Sequence, residues 1–316
     1  MCLDSVLNQN QINLQIIIVD NFSNDNRLKD FKNRFKQINW IENKNNLGFA
    51  KACNIGATLS ESKWLLFLNP DTILDKNSLS SLIKFSNLNK EHRLIGIKQV
   101  NNNNNNTNAY GLFLNTWTIT GFFRFFYRVF RGLTYEKLNA ENISHPDWIS
   151  GSFVLLRKSD FLILNGWNEN YWMYYEDMDL CKRAKDLSLK VSLFNKWKCI
   201  HFHGESSRKN RSISVMTKLE VIKSSHIYIQ NHFKNLNALS LHLVLVFSKF
   251  IDLVLSSFFS SIKREILIEC IKYWKKGLLK RNWRSDKVTI SNYWLQYRTN
   301  LISFVFQNFL HSDLVR

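Results

Sequence analysis

The densest group of candidate chemical residues is Tyr174-Tyr175-Glu176-Asp177-Met178-Asp179-Leu180, which gathers three carboxylates where a helix is predicted to begin. Acids favour a helix N-terminus for electrostatic reasons alone, yet three of them among so many aromatics exceed what capping needs. A carboxylate held there could act as a general base toward a hydroxyl. Upstream, Leu68-Asn69-Pro70-Asp71-Thr72 places one carboxylate just past an apolar run, and a single Asp makes a poor metal site without a partner. His201-Phe202-His203-Gly204-Glu205-Ser206 offers that partner, although a lone His is as readily structural. Asp71 and His201 together would suit a hard divalent ion such as Mn²⁺ or Mg²⁺.

Two further segments have the character of nucleotide contacts. Gln15 to Asp20 (QIIIVD) ends an apolar run in an acid that can accept hydrogen bonds from a pyrimidine N–H or a ribose hydroxyl. An Asp in that place is more often a turn or cap residue. Asn46-Leu47-Gly48-Phe49-Ala50-Lys51-Ala52-Cys53-Asn54-Ile55-Gly56 sets small residues and one Lys at a predicted helix start. Free N–H groups at such a start, with the partial positive charge of the helix, attract phosphate; the same small residues also suit close helix–strand packing. Asn46, Gly48, Lys51 and Asn54 are the candidates here. Gly166-Trp167-Asn168-Glu169 precedes the acidic cluster and adds an aromatic and a fourth carboxylate.

The elements that must position these residues alternate. Gln15–Asp20, Ile38–Glu42 and Trp64–Leu68 are predicted strands, and Leu3–Gln9, Arg27–Gln37, the stretch through Leu59 and Ser78–Asn87 are predicted helices. Strands that each feed a polar loop and a helix predict an α/β domain with a largely parallel sheet, in which ligands sit beyond the carboxyl ends of the strands. Asp20 and Asp71 fall on that edge. Residues 101–106 are all Asn, the composition of a solvated loop. Phe113 to Leu133 is aromatic-rich with Arg124, Arg128 and Arg131 interleaved, and SGSFVLLRKSDF near Trp148 predicts a strand running into a helix.

From roughly Asn237 the character changes. Leu239 to Ile262 is mostly apolar but interrupted by His242, Lys249 and Asp252, which falls short of a clean spanning helix. Beyond it come Tyr273, Trp274, Trp283, Tyr293, Trp294 and Tyr297, and residues 230–316 carry 13 Lys/Arg against 5 Asp/Glu. That mixture suits an interfacial membrane attachment; a helical bundle packing its own core is the alternative. The whole chain carries a formal charge of +18 over 316 residues, which calls for an anionic partner. The excess is spread along the chain, which disfavours a nucleic-acid arm, and a phosphorylated substrate with acidic lipid accounts for it without nucleic acid. Five scattered cysteines without a CxxC pair fit a reduced, cytosolic compartment.

Taken in order, VDNFSND, NLGFAKACNIG, FLNPDT, WISGSFVLLRKSDF, GWNENYWMYYEDMDLCKRAKDLSLKV and HFHGES resemble glycosyltransferase family 2, especially its rhamnosyltransferase-like branch, over about residues 3 to 207. The resemblance implies a GT-A fold, a Rossmann-like mixed and mostly parallel sheet flanked by helices, here with a C-terminal helical extension. It divides the chain into a glycosyltransferase domain at 1–230 and a basic, aromatic-rich helical region at 231–316. It implies metal-dependent transfer, with inversion, from a dTDP- or UDP-linked sugar donor to a glycan or polyprenyl-linked acceptor, at the cytoplasmic, inner face of a membrane. Asp71 would match the last acid of the metal motif and His201 the metal- or diphosphate-contacting His. Asp20 would match the base contact and Asp177 the catalytic base, supported by Glu176 and Asp179, either of which could orient the base or bind the acceptor. Trp148 and Gly151 would lie near the donor sugar, with Glu169 beside them and Trp167 as a stacking surface for the acceptor. One departure is that the family places an apolar strand before the helix matching Leu3–Gln9, between the strands at Gln15–Asp20 and Trp64–Leu68. Its loss would expose backbone groups in a buried place, and the alternative reading is an impaired enzyme that binds nucleotide or membrane without turnover.

Overall fold

The computed structural model describes residues 1–23, 26–107, 109–130, 141–202 and 211–285. Asn24, Asp25, Arg131, Leu133, His203 to Ser206, Tyr293, Trp294 and Tyr297, all singled out above, lie outside the described residues.

The first half reads α1 (Cys2–Leu7), β1 (Ile17–Asp20), α2 (Arg27–Arg34), β2 (Asn39–Glu42), α3 (Phe49–Leu59), β3 (Trp64–Leu68), β4 (Thr72–Leu74), α4 (Ser78–Leu88) and β5 (His92–Val100). The second half adds β6 (Tyr110–Gly111), α5 (Gly121–Phe130), β7 (Ile143–Ser144), β8 (Trp148–Ile149), β9 (Phe153–Arg157), α6 (Lys158–Ile163), α7 (Glu176–Asp186) and β10 (Lys190–His201). Three long helices close the described chain: α8 (Arg211–His232), α9 (Asn235–Ser257) and α10 (Ser261–Lys280).

The architecture is α/β with a mixed sheet, as expected, but the parallel share is smaller than the strand–helix alternation implied. The main sheet runs β3-β9-β5-β10-β4 with β7 also on β10, while β1–β2 and β6–β8 form separate pairs. Only β1–β2 and β5–β10 are parallel among the described pairs. The antiparallel members arise because β9, from the second half, enters between β3 and β5, and β4, from the first half, lies on the end of β10. Val154, Leu155 and Leu156 of β9 are buried, which a central strand requires.

No described strand pairs with β1 or β3 on their facing edges. The two strands nonetheless share both hydrophobic layers: Ile17 and Val19 pack with Leu65 and Phe67 on one side, and Ile16 and Ile18 with Leu66 and Leu68 on the other. α3, α6 and α7 cover the first layer, and α1 and α4 the second. The sheet's carboxyl edge is therefore held between two packed faces, and the acids at its strand ends stand at a fixed height above the core.

Candidate active site

The pairing of β4 with β10 builds the first half of the site. β4 is antiparallel to the last residues of β10, with His201 opposite Thr72, and the Phe202 amide donates to the Asp71 carbonyl at 2.9 Å. Residues far apart in sequence are thus fixed side by side: His201 Nε2 lies 3.2 Å from Asp71 Oδ1. His201 is buried, and its Nδ1 lies 2.8 Å from Gln99 Oε1. A carbonyl oxygen only accepts, so Nδ1 carries the proton, and in the neutral ring Nε2 turns a lone pair toward the carboxylate. Asp71 Oδ1 is itself buried with no hydrogen-bond donor. Two lone-pair atoms in such an arrangement are stabilised by a cation between them.

A chain of polar contacts leads from this pair to the acidic helix. Gln99 Nε2 donates to Ser152 Oγ at 2.7 Å, and Ser152 Oγ lies 2.9 Å from Ser150 Oγ. Between those serines sits Gly151, whose amide donates to Asp177 Oδ2 at 3.1 Å. The Asn69 amide donates to the Ser152 carbonyl at 3.0 Å, tying the Asp71 loop to the same segment. The segment Ser150–Ser152 therefore links Asp177 on one side to Gln99, His201 and the Asp71 loop on the other. A Cβ on Gly151 would stand in ordinary contact, 3.4 Å from the Phe49 ring and 3.6 Å from Asp177 Cβ.

Asp177 is the second residue of α7, half-buried, with Oδ1 also accepting from the Met178 amide at 2.8 Å. Burial raises its pKa above the ordinary aspartate value, opposed by those amide donors. Such a carboxylate is more basic than one in water and still open to a substrate. Glu176 beside it is buried, its Oε2 has no donor, and burial together with the neighbouring Asp177 charge pushes its pKa well up. Both effects favour the protonated form of Glu176 over the charged one. The turn into α7 is made by Tyr174 and Tyr175 at φ +68° and +67°, a conformation that L-residues rarely adopt. Backbone strain of this kind, about 1–3 kcal/mol per residue, persists only where the surroundings enforce it. Here Tyr175 packs against Tyr228 of α8, ring centroids 5.8 Å apart.

Several expected contacts prove to be structural. Asp179 is buried and accepts from His232 Nε2 and Arg183 Nε, both at 2.8 Å, and from Tyr171 at 3.3 Å. Burial alone would raise its pKa, but the His232 hydrogen bond and Arg183 hold it below the usual value. It anchors α7 to α8 and is not free for an acceptor. Trp167 is 1% exposed and packs edge-on against Phe49 and Phe67, so it offers no face to a sugar ring. An aromatic followed by Asn and Glu looks like a binding surface in sequence; burial by α3 and β3 decides otherwise.

The start of α3 is likewise closed from within. The Phe49 amide donates to the Trp172 carbonyl at 3.0 Å, and Lys51 Nζ lies 3.6 Å from Glu169 rather than at an open phosphate site. Asn54 accepts from the Trp167 amide at 2.9 Å and donates to Glu169 at 3.0 Å. Asn46 Oδ1 accepts from the Gly48 amide and from Asn21 Nδ2, both at 3.0 Å. Asp20 is buried at the end of β1 and accepts from the Ser23 amide at 3.2 Å. Trp148 is half-buried and donates to the Leu112 carbonyl at 3.1 Å.

Sequence reasoning passed over two organising residues. Asn21, fully buried, also donates to the Gly48 carbonyl and accepts from Asn43 and the Leu47 amide, so it binds the loops after β1 and β2 together. Its position directly after Asp20 was the available signal. Gln99 carried none, since nothing in RLIGIKQV marks it.

Among the described residues no cluster of three or more His, Cys, Asp or Glu could hold a metal. Asp71 and His201 still fit one, because magnesium-like ions keep several waters and are bound through one or two protein groups plus substrate phosphates. The orphaned Asp71 Oδ1 is the observation on which that fit rests.

Comparison with known proteins supplies the family. The model of glycosyl transferase family 2 matches residues 1–161, and a second, the N-terminal domain of galactosyltransferase, matches residues 140–205. Rhamnosyltransferase WbbL of Escherichia coli K12 is 26% identical over 212 residues, covering 64% of this chain and 78% of that protein. Among solved structures, GalNAc-T7 with UDP, GalNAc and Mn²⁺ is similar at TM-score 0.46 and 13% identity, over 66% of this chain and 41% of that one. TarS of S. aureus is similar at TM-score 0.45 and 15% identity, over 79% and 40% respectively. The chain spans well under half of those two proteins, and neither likeness bears on its chemistry. With half of its length under one family model, the strand-end acids of its mixed sheet and a rhamnosyltransferase among its relatives, the chain belongs to glycosyl transferase family 2 and is a glycosyltransferase.

Proposed function

We propose that the protein is an inverting, metal-dependent glycosyltransferase that moves rhamnose or a hexose from a dTDP- or UDP-linked donor. The acceptor is a hydroxyl of a glycan or polyprenyl-linked saccharide in cell-surface polysaccharide synthesis, and the work is done on the cytoplasmic face of a membrane. The observation that carries this reading is the polar chain joining Asp71 and His201 to Asp177 through Gln99 and Ser150–Ser152.

Asp177 Oδ1 or Oδ2 takes the proton of the acceptor hydroxyl as its oxygen bonds to the anomeric carbon. The bond from that carbon to the diphosphate oxygen breaks with its electron pair on the diphosphate. Attack opposite the departing group inverts the anomeric centre. Asp71 and His201 would hold a divalent ion, which would supply neutralising charge for the departing diphosphate. The raised pKa of Asp177 makes it a better base than a solvated aspartate, and Gly151 N–H fixes the carboxylate without neutralising it. Asp20 and the Asn21-ordered loops stand where a nucleoside would bind, at the end of β1.

Hydrolysis of a panel of dTDP- and UDP-sugars with Mn²⁺ present, followed by acceptor transfer, tests the reading. Asp177→Asn keeps the shape and removes the base, so turnover falls by about 10²–10⁴-fold while nucleotide binding is retained. Unchanged turnover in that variant would remove Asp177 from the role.

A further inference from the structure

We propose that the outer face of α9, the α9–α10 turn and α5 form one surface that inserts into the interface of a bilayer rich in anionic phospholipid. α9 is 23 residues, long and apolar enough by length and composition to cross a membrane, yet only 22% of its most apolar stretch is buried. Its inner side is committed to the protein: Leu241, His242, Leu245 and Leu253 are buried. Leu236, Leu243, Phe247, Ile251 and Leu255 are exposed and recur at helical spacing on the opposite side, a stripe about 28 Å long at 1.5 Å per residue. Lys249 and Asp252, the only charged residues of this helix, fall outside that stripe at 100° per residue. Soluble surfaces rarely leave an apolar stripe of this extent uncovered.

The stripe continues beyond the helix. Phe258 and Phe259, in the turn before α10, are 72% and 93% exposed, and Lys263 and Arg264 follow at once. α5 adds a second aromatic face in Phe125, Phe126, Val129 and Phe130 beside Arg124. It leaves the body next to α9, because Ile119 packs in the same cluster as Leu241 and Leu245. Charge selects the occupant: residues 234–285 carry 10 Lys/Arg against 3 Asp/Glu, which complements acidic headgroups and would repel a second copy of this basic chain. The buried side of α9 excludes a spanning helix, since His242 is hydrogen-bonded to His226 of α8 at 2.8 Å. The helix therefore lies in the plane of the interface.

Tyr175 and Met178, which flank Asp177 in sequence, pack on the cluster that holds Leu241 and Leu245. Tyr228 of α8 lies in the same cluster and packs on Tyr175, so α8 and α9 connect the lipid-facing stripe to the start of α7, where Asp177 stands.

Binding does not depend on turnover, so the full-length Asp177→Asn protein serves as the parent. Phe259→Cys, labelled with a polarity-sensitive dye, reads insertion directly; the five native cysteines are buried. The expected result is a blue shift and co-sedimentation with phosphatidylglycerol vesicles at least tenfold stronger than with phosphatidylcholine, weakened by salt and released by alkaline carbonate. Phe247→Ser/Phe258→Ser should cut binding at least tenfold with an unchanged melting temperature. Should that variant misfold, Lys263→Glu/Arg264→Glu tests the same surface through charge and should also lose at least tenfold. Equal binding to neutral vesicles, no dye shift, resistance to carbonate, or a dimer in sedimentation that Phe247→Ser dissociates would each overturn the proposal. None of these outcomes would touch the role of Asp177, which the wild-type turnover assay decides separately.

Discussion

Gln99 decides which ring nitrogen of His201 faces Asp71. By accepting from Nδ1 it leaves Nε2 as the atom that would bind the proposed ion, the arrangement by which outer groups set the tautomer and orientation of a metal-binding His. Gln99→Leu removes that acceptor and also the partner of Ser152. It is expected to weaken nucleotide-dependent Mn²⁺ binding by about 10–100-fold, read by electron paramagnetic resonance of the free ion in the presence of UDP or dTDP. Gln99→Glu retains an acceptor and should keep most of the affinity, which a purely structural role would not distinguish. Wild-type affinity in the leucine variant would remove Gln99 from this role. Little of this was legible beforehand. Asp71, Asp177 and His201 could be picked out by order and type, because strand ends and helix starts are where carboxylates do work. Their convergence depends on a three-residue strand pairing with the end of another over a hundred residues later, and no local pattern encodes such a contact. Trp167 and Asp179 were misjudged for the same reason: residue type marks what a side chain could do, and only the neighbours determine whether it is free.

The elements were easier to read where periodicity was strong. Trp64–Leu68 is the strand expected, residue for residue, and α3 and α4 begin where small and polar residues placed them. β5 and β10, the longest strands of the sheet, escaped notice because Gly96, Lys98, Asn195, Lys196 and Lys198 break up their apolar runs. Gly96 is there for packing, since a Cβ would lie 3.1 Å from the Ile149 side chain. The start of α3 imposes a stricter demand. Gly48 has φ +85° and ψ 170°, and a Cβ there would meet the Trp172 carbonyl at 2.5 Å. That backbone region is essentially restricted to glycine. Gly48→Ala should therefore destabilise the protein by about 2 kcal/mol or more, lowering the melting temperature by several degrees and altering near-ultraviolet dichroism through Trp172. Gly121→Ala is the control: nothing lies within 4 Å of its Cβ and its φ is ordinary, so melting should not fall. Equal behaviour of the two variants would refute the close approach of the helix start to Trp172.

At the scale of the whole molecule, α8 joins the catalytic layer to the C-terminal helices, and a buried imidazole pair lies on that joint. His226 of α8 and His242 of α9 are in Nδ1–Nδ1 contact at 2.8 Å, and Trp283 stacks on both, with centroids 4.0 and 4.7 Å away. Trp274 Nε1–H donates to His226 Nε2 at 3.1 Å, so His226 carries its proton on Nδ1 and gives it to His242. The pair is satisfied only when both rings are neutral. Burial lowers the pKa of His226 well below the ordinary value and that of His242 to about 4. The unfolded chain takes up these protons near pH 6.5, so the unfolded state binds more protons below that pH, and stability falls as the pH drops. The contribution is complete above about pH 6.5 and is lost progressively down toward the folded values. Each histidine can cost about 1.4 kcal/mol per pH unit in that window, which places the loss between pH 7 and 5 at roughly 2–4 kcal/mol for the pair. Thermal melts at pH 7 and pH 5 should show the drop, and His226→Gln/His242→Gln should shrink it. The C-terminal helices should report first, through Trp274 and Trp283 fluorescence, because the charge arises inside their core. A pH slope unchanged in the double variant would place the acid-sensitive joint elsewhere.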